Sequence, residues 1–482
     1  MSSVLFVALP LLFGFATPLL SRLGKDAVAY ASVAMQLFLL CLSFYLLESV
    51  SLHVEIISIA PPLGISFVLN SVSLLFVTVF IFLTTLFSFY CLSHRETGSY
   101  ENETKFLILL NMLLASSAGL VLSSDIFNIY VFFEIAGISA YILSAYRKTP
   151  SALEAGLKYL LTGAVASVFL VFAIVLIYLN IGSLNLAVIA QSFEALPFNV
   201  KLLISILLFI GFGFKVEIFP LNFWVTDVYQ GSSSLVNALF SGIVAKAYLF
   251  VFFHIVYLFL PDGDFSAFLI YLGAVSMLVA EIAGLKQTNL KRLFAYSSLG
   301  QVALIFTAFA LQNEDAVQGA LFIVIAHSFA KFIIFLVLAF IEKEYESIHI
   351  DILKELNAPF LRAVLLIAML SLLGIPLFAG FVGKLLVLKS LAVSGMLGVL
   401  VMIVIASLFE AVYYFKLAGY MFSKGERRGA LHVGFIQKSV FALLVILLIV
   451  IGVAPFILSG FLGEASRVML DSANYITVIL GG

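Results

Sequence analysis

The sequence predicts an all-α polytopic membrane protein with about fourteen transmembrane helices, and three observations predict it. Of its 482 residues, 63% are hydrophobic and 11% charged, with a mean hydropathy of +1.20; soluble domains run near 45–50% apolar and about 25% charged. The apolar residues fall in runs of roughly 20 between polar punctuation, the length that crosses a hydrocarbon core about 30 Å thick. The basic residues, finally, concentrate in alternate connections. A soluble enzyme, a disordered chain and a disulfide-stapled secreted domain are excluded. The net charge of −1 gives no support for nucleic-acid binding.

The runs place spans near 4–20, 27–47, 65–92, 106–123, 125–146, 154–179, 201–221, 232–259, 265–285, 292–311, 316–341, 362–388, 393–418 and 438–460. The first lacks a preceding basic region and a small-residue cleavage site, so it reads as a retained span. No connection is long enough for a soluble domain. The stretch from Leu462 to Gly482 is short and mixed, and reads as a tail lying on the surface. Cys41 and Cys91 fall in apolar runs and read as buried small hydrophobes.

Charge tests the count independently. The odd-numbered connections carry Arg22, Lys25, Arg95, Lys105, Arg147, Lys148, Lys286, Lys291, Arg292, Lys343, Lys354, Arg362, Lys424, Arg427, Arg428 and Lys438. The even ones and the tail carry Lys201, Lys389 and Arg467, and hold Glu48, Glu55, Asp262, Asp264, Glu314 and Asp315. Such a bias puts the odd connections in the cytoplasm and both termini outside. One miscounted span in the middle would scramble it.

Six lysines remain within the spans: Lys158, Lys215, Lys246, Lys331, Lys384 and Lys416. Glu134, Glu281, His327, Glu410 and His254 are their titratable companions at membrane depth. A charge at the bilayer centre costs several kcal/mol, so it faces protein or a wet cavity and often marks an ion path. Lys158 and Lys416 fit the alternative of snorkelling from a helix end. Lys384, Lys215 and Glu134 do not, because apolar sequence flanks each. A buried lysine whose charge depends on a nearby carboxylate can hold or release a proton, which makes Glu134 and Lys215 a candidate switching pair. His327 and Lys331, four residues apart, stand on one helix face and with Lys246 extend the titratable line toward Lys384.

The seventh and twelfth spans are irregular. FGFKVEIFPLNFW, from Phe212 to Trp224, sets Gly213 and Pro220 around Lys215; LLGIPLFAGFVGKLL, from Leu372 to Leu386, sets Gly374, Pro376, Gly380 and Gly383 before Lys384. Proline removes a donor and breaks helices. Broken helices bearing charge at matching places in two halves point to a transporter built from inverted repeats. No nucleotide loop, cysteine cluster or paired-histidine haem pattern is present, so the chain is expected to carry no cofactor.

Six ordered motifs resemble one family: SDIFNIYVFFEIAGISAY (124–141), GFKVEIFPLNFWVTDVY (213–229), LVNALFSGIVAKAY (235–248), NLKRLFAYSSLGQV (289–302), HSFAKFIIFL (327–336) and GIPLFAGFVGKLLVL (374–388). They are similar to the antiporter-like subunits shared by respiratory complex I, Mrp-type cation/proton antiporters and membrane-bound hydrogenases with their archaeal sulfur-reducing relatives. The resemblance covers roughly residues 65 to 420. It implies a proton path through Glu134, Lys215, Lys246, His327, Lys331 and Lys384. It also implies two inverted five-helix repeats, at 106–260 and 261–420. Three N-terminal helices (residues 1–105) precede them, and a last helix with a short tail (residues 421–482) follows.

Lys384, in place of a glutamate, brings the chain nearer the Mrp D-type and complex I N-type subunits. It departs from the family pattern at Asn222, Asn289 and Ala303; the first two remove titratable groups near the ends of the half-channels. The partners implied are other antiporter-like and small membrane subunits in the cell membrane, with iron–sulfur clusters and a nickel–iron or quinone site confined to partner subunits. The resemblance spans redox-driven proton pumps and Na+/H+ exchangers without choosing between them. A stand-alone secondary transporter and a non-pumping structural subunit are the rival readings.

Overall fold

The computed structural model describes residues 2–23, 26–47, 53–56, 64–93, 100–260, 263–423 and 431–481. Lys25, Glu48, Arg95, Asp262, Lys424, Arg427 and Arg428 of the charge count lie outside them. Thirteen helices among the described residues are long and apolar enough to cross a membrane. They are built on α1 (Ser2–Leu20), α2 (Ala27–Leu47), α3 (Ser71–Ser93), α4 (Tyr100–Leu122), α5 (Ile126–Ser144) and α6 (Pro150–Ile181). After the short α7 (Leu186–Phe193) come α8 (Phe198–Val216), α9 (Val225–Gly231) and α10 (Ser234–Leu239), which a π-helical turn at Phe240–Val244 joins to α11 (Ala245–Phe259). Next stand α12 (Gly263–Leu285), α13 (Leu290–Ala310), α14 (Glu314–Tyr345) and the one-turn α15 (Ile352–Glu355). In place of the expected twelfth span stand two shorter helices, α16 (Pro359–Leu373) and α17 (Ala379–Val393). Beyond them lie α18 (Leu397–Phe422), α19 (Phe435–Val453), α20 (Phe456–Leu470) and α21 (Ser472–Leu480).

Local chemistry sets the ends. Thr149 accepts from the Ala152 amide at 3.2 Å with Pro150 in the first helical turn, and Gly182, at φ 77°, closes the same helix in the left-handed region. Asn185 caps α7 through the amides of Ala187 and Val188, and Asn289 caps α13 through that of Arg292. Helix α14 lies at the centre, its apolar window wholly buried, with α3, α11 and α13 nearly so. By contrast α1, α2, α6, α18 and α19 turn two thirds of their windows outward, presenting residues such as Phe15, Phe172, Leu408 and Phe435. Apolar exposure on that scale is a lipid-facing surface. Lipid tails give apolar helices no reason to leave them, so close association relies on small residues and polar links. Between α14 and α17 a Cβ on Gly383 would stand 2.7 Å from the Gly319 carbonyl, and one on Gly319 2.9 Å from the Gly383 carbonyl.

Three expectations are corrected. Residues 65–70 do not begin the third span: Ser66–Leu69 is a strand, paired antiparallel with His53–Ile56 in the register His53↔Leu69 to Ile56↔Ser66. A short apolar run does not distinguish strand from helix; what ends this one is Asn70, which exchanges hydrogen bonds with Ser73 and caps α3. The tail after Leu462 is not a loose surface segment, since α20 and α21 bury Leu462, Ala465, Met469, Tyr475 and Ile479 against the bundle. Cys41 is exposed on the outer face of α2 and Cys91 is half-buried, so neither is a core residue.

Connections of one parity meet one another. At one end, odd connections join through Arg147–Glu342 (2.7 Å), Arg292–Asp227 (2.6 Å) and Lys291, which donates to the Ser232 carbonyl (2.9 Å). At the other, the bridges Phe67↔Ser123 and Asp125↔Asn185 and the pairs Lys389–Asp315 and Arg467–Glu314 join even connections and the tail. Glu342 is the hub of the basic end: it pairs with Arg147 and Lys291 and accepts from Ser234, tying together the connections on either side of α5, α10, α13 and α14. Glu342→Gln is expected to cost about 2 kcal/mol, the scale of hydrogen bonds to a charged group. The check is a lowered thermal midpoint in detergent, with transport by the surviving protein unchanged.

Candidate functional site

Helix α8 ends in the interior. Its C-cap is Glu217, a non-glycine residue at φ 65°, whose amide donates to the Gly213 carbonyl. The chain resumes as α9 only at Val225, after the segment holding Pro220. This break leaves Lys215 in the last turn of α8, where unsatisfied carbonyls and the negative end of the helix dipole favour a cation. Lys215 is 2% exposed and donates to the Tyr141 hydroxyl at 2.7 Å. Its ammonium faces the rings of Phe133 (5.4 Å), Tyr141 (4.6 Å), Tyr159 (4.7 Å) and Tyr248 (5.5 Å). Aromatic faces offer a cation electrostatic stabilisation without a counter-charge.

Glu134, on α5 beside Phe133, forms no ion pair with Lys215. One of its oxygens is buried without a hydrogen-bond partner. The candidate switching pair is therefore not in contact, and what Lys215 touches is the Tyr141 hydroxyl. Gly163 leaves room for this arrangement, because a Cβ there would meet the Tyr141 hydroxyl and stand 3.1 Å from Lys215 Nζ. Gly163→Ala is expected to part Tyr141 from Lys215 and cut transport several-fold without altering any titratable group. The check is transport measured beside an unchanged elution profile of the assembled protein.

Lys246, wholly buried, follows the π-helical turn. It donates to the Ser241 carbonyl in that turn and contacts His327 Nδ1 at 2.6 Å. Single π-helical turns recur at functional sites because they expose backbone groups that an α-helix would occupy. His327 Nε2 is buried without a partner. One turn along α14, Lys331 donates to the Phe294 carbonyl (3.0 Å) and to Ser297 Oγ (2.6 Å).

The second break lies between α16 and α17. Gly374, at φ 80°, ends α16, and Lys384 reaches back from α17 to donate to the Leu373 carbonyl at 3.2 Å. The lysine thus sits against the open end of a half-helix. It also pairs with Glu410 at 3.0 Å, whose other oxygen accepts from Gln301 at 2.7 Å. Unlike Lys215, Lys384 holds a carboxylate in contact.

The structure thus buries the four sequence-selected lysines and His327 in one interior. It links Lys246 directly to His327, whereas no hydrogen bond joins Lys215 to Lys246 or Lys331 to Lys384 among the described residues. His254 does not belong to the line: its ring packs between Phe250 (5.7 Å) and Tyr475 (4.8 Å) of α21. Lys158 lies at the basic end, paired with Asp227 and Glu154, and Lys416 is exposed beside the Tyr420 ring, as snorkelling side chains should be.

Sequence reasoning missed Glu217, which is 5% exposed and interacts electrostatically with both Lys215 and Lys246. Its signal was its place between Lys215 and Pro220, inside the break. It missed Tyr141 as well, which reads as core until the fold turns its hydroxyl toward a lysine.

A family model described as NADH:quinone oxidoreductase/Mrp antiporter, transmembrane, matches residues 123–410, which hold all six motifs. The chain is 34% identical over 334 residues to the "NADH-quinone oxidoreductase subunit N 2" of Symbiobacterium thermophilum, covering 64% of this chain and 66% of that protein. It is 29% identical over 403 residues to the "NADH-quinone oxidoreductase subunit N" of Desulforamulus reducens, covering 81% and 82%. A chain of the membrane-bound sulfane sulfur reductase, an archaeal respiratory membrane complex, superposes with a TM-score of 0.94 at 30% identity over 99% of both chains. Motifs, fold and relatives agree: the chain belongs to the NADH:quinone oxidoreductase/Mrp antiporter transmembrane family, as an antiporter-like membrane subunit.

Proposed function

We propose that this chain moves protons across the membrane inside a multisubunit complex, along the buried axis Lys215, Lys246, His327, Lys331 and Lys384. One observation carries the reading: both broken helices bring a buried lysine to the open carbonyl end of a half-helix, and Lys246, His327 and Lys331 lie between the two. Buried ammonium groups are costly at membrane depth and persist where they serve a path. Glu134 receives the coupling signal and biases Lys215 by its charge, without contact. Glu217 couples Lys215 to Lys246 electrostatically, and the proton leaves by way of Lys384.

Residues 106–260 and 261–420 are the two inverted repeats in this reading, with residues 1–105 as the N-terminal helices before them and residues 421–482 as the closing segment. The chain sits in the cell membrane with both termini outside. It carries no redox group of its own; iron–sulfur clusters and a nickel–iron or quinone site belong to partner subunits. Transport of Na+ would be a property of the assembled complex.

Purification in mild detergent through this subunit, followed by mass spectrometry, tests the setting. Partners with iron–sulfur motifs support a redox-driven pump, and small membrane partners with other antiporter-like chains support an ion exchanger. Recovery of this chain alone, active in liposomes, overturns the complex in favour of a solitary transporter. An intact complex whose proton transport is indifferent to Lys215 would leave a structural coupling role.

A further inference from the structure

We propose that Glu281 is a second proton-exchange group, connected to Lys331 by a relay of three hydroxyls and lying near the basic end of the bundle. The inference rests on the proton-transport reading above and adds a branch to it that bypasses Lys384. Glu281 is fully buried on α12, four residues from that helix's end at Leu285, which is about 6 Å at the helical rise. The following connection carries Lys286 and Lys291, so this end is the basic one.

Three of the relay's four links are short hydrogen bonds. Tyr413 donates from its hydroxyl to Glu281 Oε2 at 2.6 Å. Tyr413 and Tyr414 are sequence neighbours whose rings meet edge to face at 4.8 Å; no hydrogen bond joins their phenols as they stand, so this link closes by rotation of one ring. Tyr414 shares a short hydrogen bond with Ser297, which accepts from Lys331 Nζ at 2.6 Å. Every member is at most 3% exposed. The other Glu281 oxygen is buried without a hydrogen-bond partner and lies against Gly300 of α13, where any side chain would collide with it.

Structural packing alone leaves this carboxylate unexplained. Glu410, the other buried acid nearby, is neutralised by Lys384 and Gln301, whereas Glu281 has a single phenol. An ionised carboxylate so poorly compensated is expensive in a dry interior. A proton resolves the problem and the relay can exchange it. On delivery, Glu281 passes its proton to the Tyr413 oxygen as the Tyr413 proton moves to Tyr414, that of Tyr414 to Ser297, and that of Ser297 to the Lys331 amine. Three hydroxyls are regenerated, one carboxylic acid becomes a carboxylate and one amine becomes an ammonium. The return step neutralises both ends, so the cluster's net charge is the same in the two states.

The test uses the complete complex in proteoliposomes, with proton uptake read by a pH-sensitive dye. Tyr413→Phe and Tyr414→Phe each keep the ring and remove one hydroxyl, and Glu281→Gln removes the titrating group. Each is expected to lower transport by about 100-fold or more, the low end of what a positioned proton-transfer group contributes. Gly300→Ala, which displaces the carboxylate without removing it, should do the same.

Wild-type transport in assembled Tyr413→Phe and Tyr414→Phe, beside a dead Lys215→Ala control, overturns the relay and leaves the main axis standing. Full transport in Lys215→Ala overturns the axis itself. Infrared difference spectra of the assembled complex across a pH step give a second readout, useful where a variant assembles poorly. A protonated-carboxyl band absent from Glu281→Gln supports the assignment, and an unchanged carboxyl region overturns it.

Discussion

Lys215→Ala is expected to abolish proton transport by the assembled complex while leaving assembly intact. On the proposed axis the loss should exceed about 100-fold, the scale that a positioned proton-transfer group contributes. Assembly should survive because the ammonium is held by a hydroxyl and aromatic faces, so its removal strands no carboxylate in contact. The truncation leaves a cavity among Phe133, Tyr141, Tyr159 and Tyr248; Lys215→Met, which fills that space without a charge, separates the packing cost from the transport loss. Both variants are to be read by subunit stoichiometry on a native gel and by proton uptake in vesicles. Full transport in either would refute the axis.

Lys384→Met should behave differently. Its partner Glu410 is fully buried, and its remaining support is the Gln301 amide. Removing the lysine leaves an ionised carboxylate uncompensated, a change that costs about 3–5 kcal/mol in buried pairs. Lowered yield and a lowered thermal midpoint are therefore expected together with lost transport. In Lys384→Met/Glu410→Gln the orphan charge is gone, so stability should return toward wild type while transport stays lost. The two measurements separate a pair kept for folding from one kept for function: a double variant no more stable than the single would show that the pair is not what Lys384 contributes to stability.

Much of the architecture was legible because bilayer physics is one-dimensional. A span must satisfy its own backbone and remain apolar for about 20 residues, so length and hydropathy locate it without knowledge of neighbours. Lys215 and Lys384 were legible for the same reason, as charges at depth beside glycine and proline. The strand Ser66–Leu69 was not, since nothing in SFVL says whether its backbone bonds along the chain or across to residues 53–56. The packing of α20 and α21 was equally hidden: their apolar faces are modest, and only the shape of the bundle provides a surface to cover.

Site chemistry divides along the same line. Local composition and the cost of charge in hydrocarbon were enough to place the apolar spans, to group the connections by parity and to single out Lys215, Lys246, Lys331, Lys384 and the two irregular spans. Which partner each of these groups meets came from the packed bundle alone. The Lys215 ammonium rests on the Tyr141 hydroxyl rather than on Glu134, Glu217 is buried at the C-cap of α8, Lys384 is paired with Glu410, and Glu281 accepts from the Tyr413 phenol. Those pairings join residues tens to more than a hundred positions apart. At that separation the choice of partner depends on helix rotation and crossing, which no local pattern encodes.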